Sequence, residues 1–248
     1  MAPKTRTLLI VGAAAAVLVA VAGGYLAYRH FGLSATRTRI LLDWLRAPQD
    51  HPEWAVKALE RCDPGAPFSL PTSGLIGYLW DDSFQIGKRH QGLDIFGGTG
   101  PGLTPIYAAY PGFLTRLSNW KSSLIVRVPD DPLHPGLQIW TYYTHMADSS
   151  GENSYIAPDF PPGTSEVSVQ AGQLLGYQGN FSGDPSAPVG VHLHFSIVLD
   201  DGQGKYRNEL DIANTLDPSP YFGLPLNGSQ NRDVVPVCQK TRSSTKWF

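Results

Sequence analysis

Five side chains in this 248-residue sequence could do chemistry, and they fall in three separated pieces. The run Val189-Gly190-Val191-His192-Leu193-His194-Phe195-Ser196-Ile197-Val198 alternates as a strand does. Successive strand side chains point to opposite faces, so His192 and His194 share one face while Leu193, Phe195, Ile197 and Leu199 share the other. A sheet presents metal or acid–base chemistry from a rigid floor in this way. His90 and Asp94, in Arg89-His90-Gln91-Gly92-Leu93-Asp94-Ile95, are an even number of residues apart. In extended chain they also share a face, and Gly92 between them leaves room for a bound atom. His145 ends the aromatic run Trp140-Thr141-Tyr142-Tyr143-Thr144. Each piece alone is weak, because a strand histidine is more often a hydrogen-bonded structural residue than a ligand. Their conjunction in a β-rich chain is more specific.

The elements that must position these groups are short strands. Gly 26 and Pro 21 favour turns over long helices. From Pro64 onward, apolar-alternating runs are separated by Gly, Pro, Asn and Asp. The expected strands are 74–80, 92–96, 106–109, 112–118, 123–128, 137–144, 173–177 and 192–199. Such spacing predicts a mostly β domain, an antiparallel sandwich or open barrel over residues 64–248. The stretches 147–168 and 180–190 read as long irregular loops, which usually form functional rims. His134, within Asp131-Pro132-Leu133-His134-Pro135-Gly136, reads as a hairpin-turn residue, and His30 and His51 also lie outside the three pieces.

Ahead of this domain the texture differs. Lys4 and Arg6 precede an uncharged run, Leu8–Tyr28, which as a helix would span about 31 Å, close to a bilayer's hydrocarbon thickness. Residues 1–30 are expected to be a membrane anchor. A cleaved signal peptide competes, since Ala20-Val21-Ala22 has the small-x-small pattern of a cleavage site. Residues 31–63 are expected to be a helical stalk or strap. Ile40, Leu41, Leu42, Trp44 and Leu45 form one apolar stripe, and Trp54, Ala55 and Leu59 another, with a second helix starting at Asp50-His51-Pro52-Glu53. With a net charge of −2 and no basic excess, nucleic acid is not an expected partner. Cys62 and Cys238 are too far apart for a CxxC or zinc-knuckle pattern. In a reducing compartment they are two small hydrophobes; if the domain is exported, a bridge between them is expected.

Five stretches together resemble the lysostaphin/LytM-type zinc endopeptidases: His90-Gln91-Gly92-Leu93-Asp94-Ile95, Thr104-Pro105-Ile106-Tyr107-Ala108-Ala109, Tyr143-Thr144-His145-Met146, Ala171-Gly172-Gln173-Leu174-Leu175-Gly176 and Val191-His192-Leu193-His194-Phe195. The resemblance covers about residues 70–221. It implies a peptidase of bacterial peptidoglycan on an antiparallel β fold, which the N-terminal anchor or signal segment would place outside the cytoplasm. His90, Asp94 and His194 would then bind one zinc ion, and His145 and His192 would face the substrate. Val189-Gly190-Val191 and Ser196 stand where family members often carry Thr-Gly-Pro and an acid, which bears on groove shape.

Elementary chemistry agrees with that division. A catalytic zinc takes three protein ligands and keeps one position open. Amide hydrolysis further needs a base for water, a donor for the oxyanion and an acid for the leaving amine. His145 is the candidate base and His192 the candidate oxyanion stabiliser, with the two roles interchangeable at this level. A catalytically silent envelope domain that binds cell wall or regulates another hydrolase is the competing reading; such a module would not need all five residues.

Overall fold

The computed structural model describes residues 3–27, 33–82, 88–231 and 233–238, with side chains from residue 15 in the first helix and residue 36 in the second. Helix α1 covers Pro3–Ala27. Its residues 15–27 are exposed, and the expected apolar run Leu8–Tyr28 lies in part outside the described residues. Among the described residues no helix is long and apolar enough to cross a membrane.

Helix α2 (Leu33–Arg46) is amphipathic. It buries Leu41 and Trp44 against Leu75 and Phe96 and so straps one face of the β domain. The expected second helix is absent. Pro48–Asp50 and Pro52–Trp54 are single 3-10 turns without a side-chain cap, and Ala55–Val56 is already a strand, β1. Two prolines four residues apart remove backbone donors and disfavour helix in the residues before them. Of the expected stripe, Trp54 stacks on His51 with ring centroids 3.9 Å apart and packs with Ala55 beside Leu41 and Trp44, while Leu59 is exposed.

All eight expected strands form, each trimmed at one end or both: β2 (Gly74–Tyr78), β3 (Leu93–Phe96), β4 (Pro105–Tyr107), β5 (Gly112–Thr115), β6 (Leu124–Val128), β7 (Ile139–Thr144), β9 (Leu174–Tyr177) and β10 (Leu193–Leu199). Two short strands join them, β8 (Val167–Val169) and β11 (Thr215–Leu216), together with one turn of helix, α3 (Ser219–Phe222). β8 closes the stretch 147–168, which is therefore not wholly irregular.

The chain is mostly antiparallel sheet, but not a sandwich of two comparable sheets. One sheet runs β1-β2-β3-β10-β7-β6-β5-β8, with β11 on the free end of β10, and β4 and β9 form a separate two-stranded ribbon. The β4–β9 ribbon shares one core with the large sheet. Leu93, Ile95, Tyr143 and Phe195 pack there with Ile106 and Leu175, all fully buried. Because strand side chains alternate, the same strands turn Asp94, Tyr142, Thr144 and His194 to the opposite face. There Ile125, Trp140, Tyr142 and Val198 form a separate small cluster. The chemistry thus lies on the sheet face away from the main core.

Cys62 and Cys238 are joined by a disulfide, their Cα atoms 4.6 Å apart, which fastens the start of the β domain to its tail. His134 sits in a turn, where its Nδ1 meets Asp131 Oδ2 at 2.8 Å.

Candidate metal centre and groove

The three pieces converge because of strand register. β10 lies between β3 and β7, with His194 directly opposite Asp94 on one side and Thr144 on the other. Asp94 and His194 are therefore cross-strand neighbours on one face, and His145 follows at the end of β7. His90 precedes β3, and its main chain is bonded to the Leu79–Asp82 turn. Gly92 is needed there for a different reason from the one expected. A Cβ would lie 2.2 Å from the Phe195 carbonyl oxygen, so the glycine admits the backbone of β10 rather than a bound atom.

His90 Nε2 lies 3.1 Å from both Asp94 Oδ1 and His194 Nδ1, and those two atoms are 2.8 Å apart. His90, Asp94 and His194 form a group able to hold a metal ion. The tautomer of His90 follows from its other nitrogen. Nδ1 faces the Leu79 carbonyl at 2.9 Å and must donate to it. Neutral His90 then turns the Nε2 lone pair toward a carboxylate oxygen and a second imidazole nitrogen. Three such atoms this close need a proton or a cation among them. Ligands on a tetrahedral ion at about 2.0–2.1 Å lie roughly 3.3 Å from one another, close to the separations found. A metal-binding histidine that donates its second N–H to a backbone carbonyl is the usual support for such a site. The residues present fit a zinc ion.

The electrostatics of Asp94 and His194 agree, while without a metal the carboxylate draws His90 toward its charged form. Burial raises the Asp94 carboxyl, yet the charges of His90 and His192 and bonds from His192 and His194 outweigh it and hold it well below the usual carboxylate range. Burial alone would depress His90, but Asp94 overrides it and raises the imidazole. Burial depresses His194 despite its bond to Asp94.

His145 and His192 stand beside this group, their rings 4.5 Å apart. His145 Nδ1 faces the Phe181 carbonyl at 2.7 Å, and His192 Nδ1 faces the Gly190 carbonyl at 2.6 Å. Both therefore keep Nε2 for other work. His192 Nε2 is 3.5 Å from Asp94 Oδ1, and the ring stacks on Phe96. His145 is pushed down to about 3, first by burial and then by His192 and His194. Its backbone is left-handed, with φ +71°, a conformation costing about 1–3 kcal/mol for a residue other than glycine.

The groove over these side chains has a volume of about 340 Å³ and is also lined by Gln91, Tyr142, Thr144, Ser182, Glu209 and Leu210. Gln91 Nε2 donates to the Leu210 carbonyl at 2.7 Å and closes one wall. All five expected residues meet here. Sequence reasoning did not find the orienting carbonyls of Leu79, Phe181 and Gly190, because a backbone acceptor carries no residue-type signal. Glu209 was missed because it lies beyond the motifs.

No family model and no curated protein matches the chain. Among solved structures it is similar to Csd3 of Helicobacter pylori, with 18% identity, 64% of this chain and 35% of that chain covered, and a TM-score of 0.38. It is similar to lysostaphin of Staphylococcus simulans, an antimicrobial peptidase, at 22% identity, covering 60% and 49%, with a TM-score of 0.38. A third is the catalytic domain of the prophage-encoded M23 protein EnpA of Enterococcus faecalis, at 22% identity, covering 59% and 96%, with a TM-score of 0.36. The chain spans between a third and a half of the first two. These neighbours include the kind of peptidase the motifs resemble, but identities and scores this low carry no functional argument.

Proposed function

We propose that this chain is a zinc-dependent endopeptidase that hydrolyses peptide stems or cross-bridges of bacterial peptidoglycan. The observation that carries the reading is the meeting of His90 Nε2, Asp94 Oδ1 and His194 Nδ1 within 3.1 Å of one another, with two further histidines beside them in one groove. Bound by those three atoms, zinc would supply Lewis-acid polarisation of water and of the scissile carbonyl.

The remaining histidines divide the proton work by their tautomers. His145 donates from Nδ1 to Phe181 and stays neutral, so its Nε2 lone pair accepts the proton of the attacking water. The Phe181 carbonyl also steadies the imidazolium that results. His192 spends its Nδ1 proton on Gly190, so it can donate from Nε2 only as the imidazolium. In that form His192 offers a charged donor to the tetrahedral oxyanion. His145, once protonated, is placed to pass its proton to the leaving amine. A peptide segment would lie in the groove of about 340 Å³ over these side chains.

Membrane anchoring through the Leu8–Tyr28 run, with the β domain outside the cytoplasm, belongs to the same proposal. The Cys62–Cys238 bridge supports it, because disulfides persist in oxidising compartments. The test is a digest of purified cell wall and defined muropeptides with and without chelator, read by mass spectrometry. Fragments ending at a single type of peptide bond, lost on chelation and restored by zinc, are expected. Intact substrate under all conditions, with zinc bound, would leave the silent envelope domain as the reading.

A further inference from the structure

We propose that Arg37, on α2 and outside the groove, is a positioning residue for the metal ligand His90. The inference rests on the zinc reading above. Arg37 is 4% exposed, and its Nε lies 3.1 Å from Asp82 Oδ2. Its Nη2 also donates to the carbonyls of Asn231 at 2.6 Å and Val234 at 3.3 Å. Asp82 Oδ2 in turn accepts from Leu79 N at 2.7 Å, and Asp82 N donates to Leu79 O at 3.1 Å. Asp82 thus closes the Leu79–Asp82 turn with its carboxylate at one point and its main-chain N–H at the other.

That turn holds His90 at both its ring and its main chain. Leu79 O accepts from His90 Nδ1 at 2.9 Å, Asp82 O accepts from His90 N at 2.8 Å, and His90 O accepts from Asp81 N at 2.8 Å. A continuous chain of contacts therefore runs from the guanidinium, through one carboxylate and one turn, to the carbonyl that sets the His90 tautomer. Without Arg37 the Asp82 carboxylate, only 12% exposed, loses its countercharge and turns toward water. That movement loosens the turn. The Leu79 carbonyl then no longer pins the Nδ1 proton, and Nε2 no longer presents its lone pair to the metal. Helix α2 has a second footing on the domain through Leu41 and Trp44. Docking of the helix and positioning of the histidine are accordingly separable by mutation.

The experiment measures zinc affinity of the full chain by competition with a chromophoric chelator, alongside thermal unfolding of the metal-free protein. Arg37→Met is expected to weaken zinc by about 10- to 100-fold, the usual effect of removing support behind a metal ligand. Val128→Ala, a core truncation remote from the turn, serves as a control that is destabilised but keeps wild-type affinity. The double variant Arg37→Met/Asp82→Leu replaces the ion pair with apolar side chains, a change that buried pairs often tolerate without loss of stability. It should fold and still bind zinc at least tenfold more weakly, because Leu79 N has lost its carboxylate. Wild-type affinity in the double variant overturns the proposal, as does an equal loss in Val128→Ala at matched melting temperature. A wild-type chain that takes up no zinc overturns the zinc reading itself, and this positioning role with it.

Discussion

Asp94 and His194 face each other across β3 and β10, with Oδ1 and Nδ1 2.8 Å apart, although 100 residues separate them in the chain. Cross-strand register alone brings them together, and His90 completes the group from the turn before β3. A metal ligand set built on paired strands is held by the sheet's hydrogen bonds rather than by a loop.

Metal content should follow from that geometry. Purified chain is expected to carry close to one zinc per molecule, and His194→Ala or Asp94→Ala to lose it under mild chelation. Elemental analysis after dialysis checks this. Full zinc occupancy in His194→Ala would refute the ligand assignment.

His145→Ala should behave differently. It removes the proton acceptor and leaves all three metal ligands, so zinc stays bound while turnover on cell wall falls by about 10²- to 10⁴-fold. Normal digestion by this variant would remove His145 from the mechanism.

The depressed His145 also predicts a pH dependence of stability. Its folded-state value of about 3 lies below the ordinary histidine value of about 6.5. As pH falls through about 6.5 the unfolded chain takes up a proton that the native chain refuses, so this histidine's contribution to stability is lost progressively toward pH 3. For the metal-free protein the slope from this group reaches at most about 1.4 kcal/mol per pH unit. Denaturant titrations at several pH values should show it, with a shallower acid limb in His145→Gln. The His145 imidazole should remain neutral at pH 5 by NMR.

Alkaline pH should act through Tyr143. Burial pushes its phenol up to about 12, against the bond from Ala109 N. The unfolded chain ionises near pH 10 and the native chain does not, so stability is full below about pH 10 and falls as pH rises toward 12. Tyr143→Phe should flatten that limb, at the cost of leaving Ala109 N without its acceptor.

The Cys62–Cys238 bridge closes a loop with a sequence separation of 176. On the chain-entropy model it contributes up to about 5 kcal/mol. Reduction, or Cys238→Ser, should lower the denaturation midpoint without altering the distances among the metal ligands. Unchanged unfolding after reduction would contradict this role.

The sequence by itself determined the strand content, the two faces of the His192–Leu199 run and the identities of the five residues that meet in the groove. These are local matters of alternation, turn residues and motif, carried by neighbours in the chain. It misled where local pattern and long-range pairing compete. The Trp54, Ala55 and Leu59 stripe reads as helix, but Ala55 and Val56 pair with Leu75 and Gly74 instead. Only the tertiary structure decided which nitrogen of His90, His145 and His192 faces a backbone carbonyl, because Leu79, Phe181 and Gly190 supply those acceptors, and any residue type supplies a carbonyl. It likewise decided that Gly92 makes way for β10, and that Arg37 reaches Asp82 behind the metal ligand. Contacts between distant segments are set by register and burial, and neither is written in the spacing of residues along one strand.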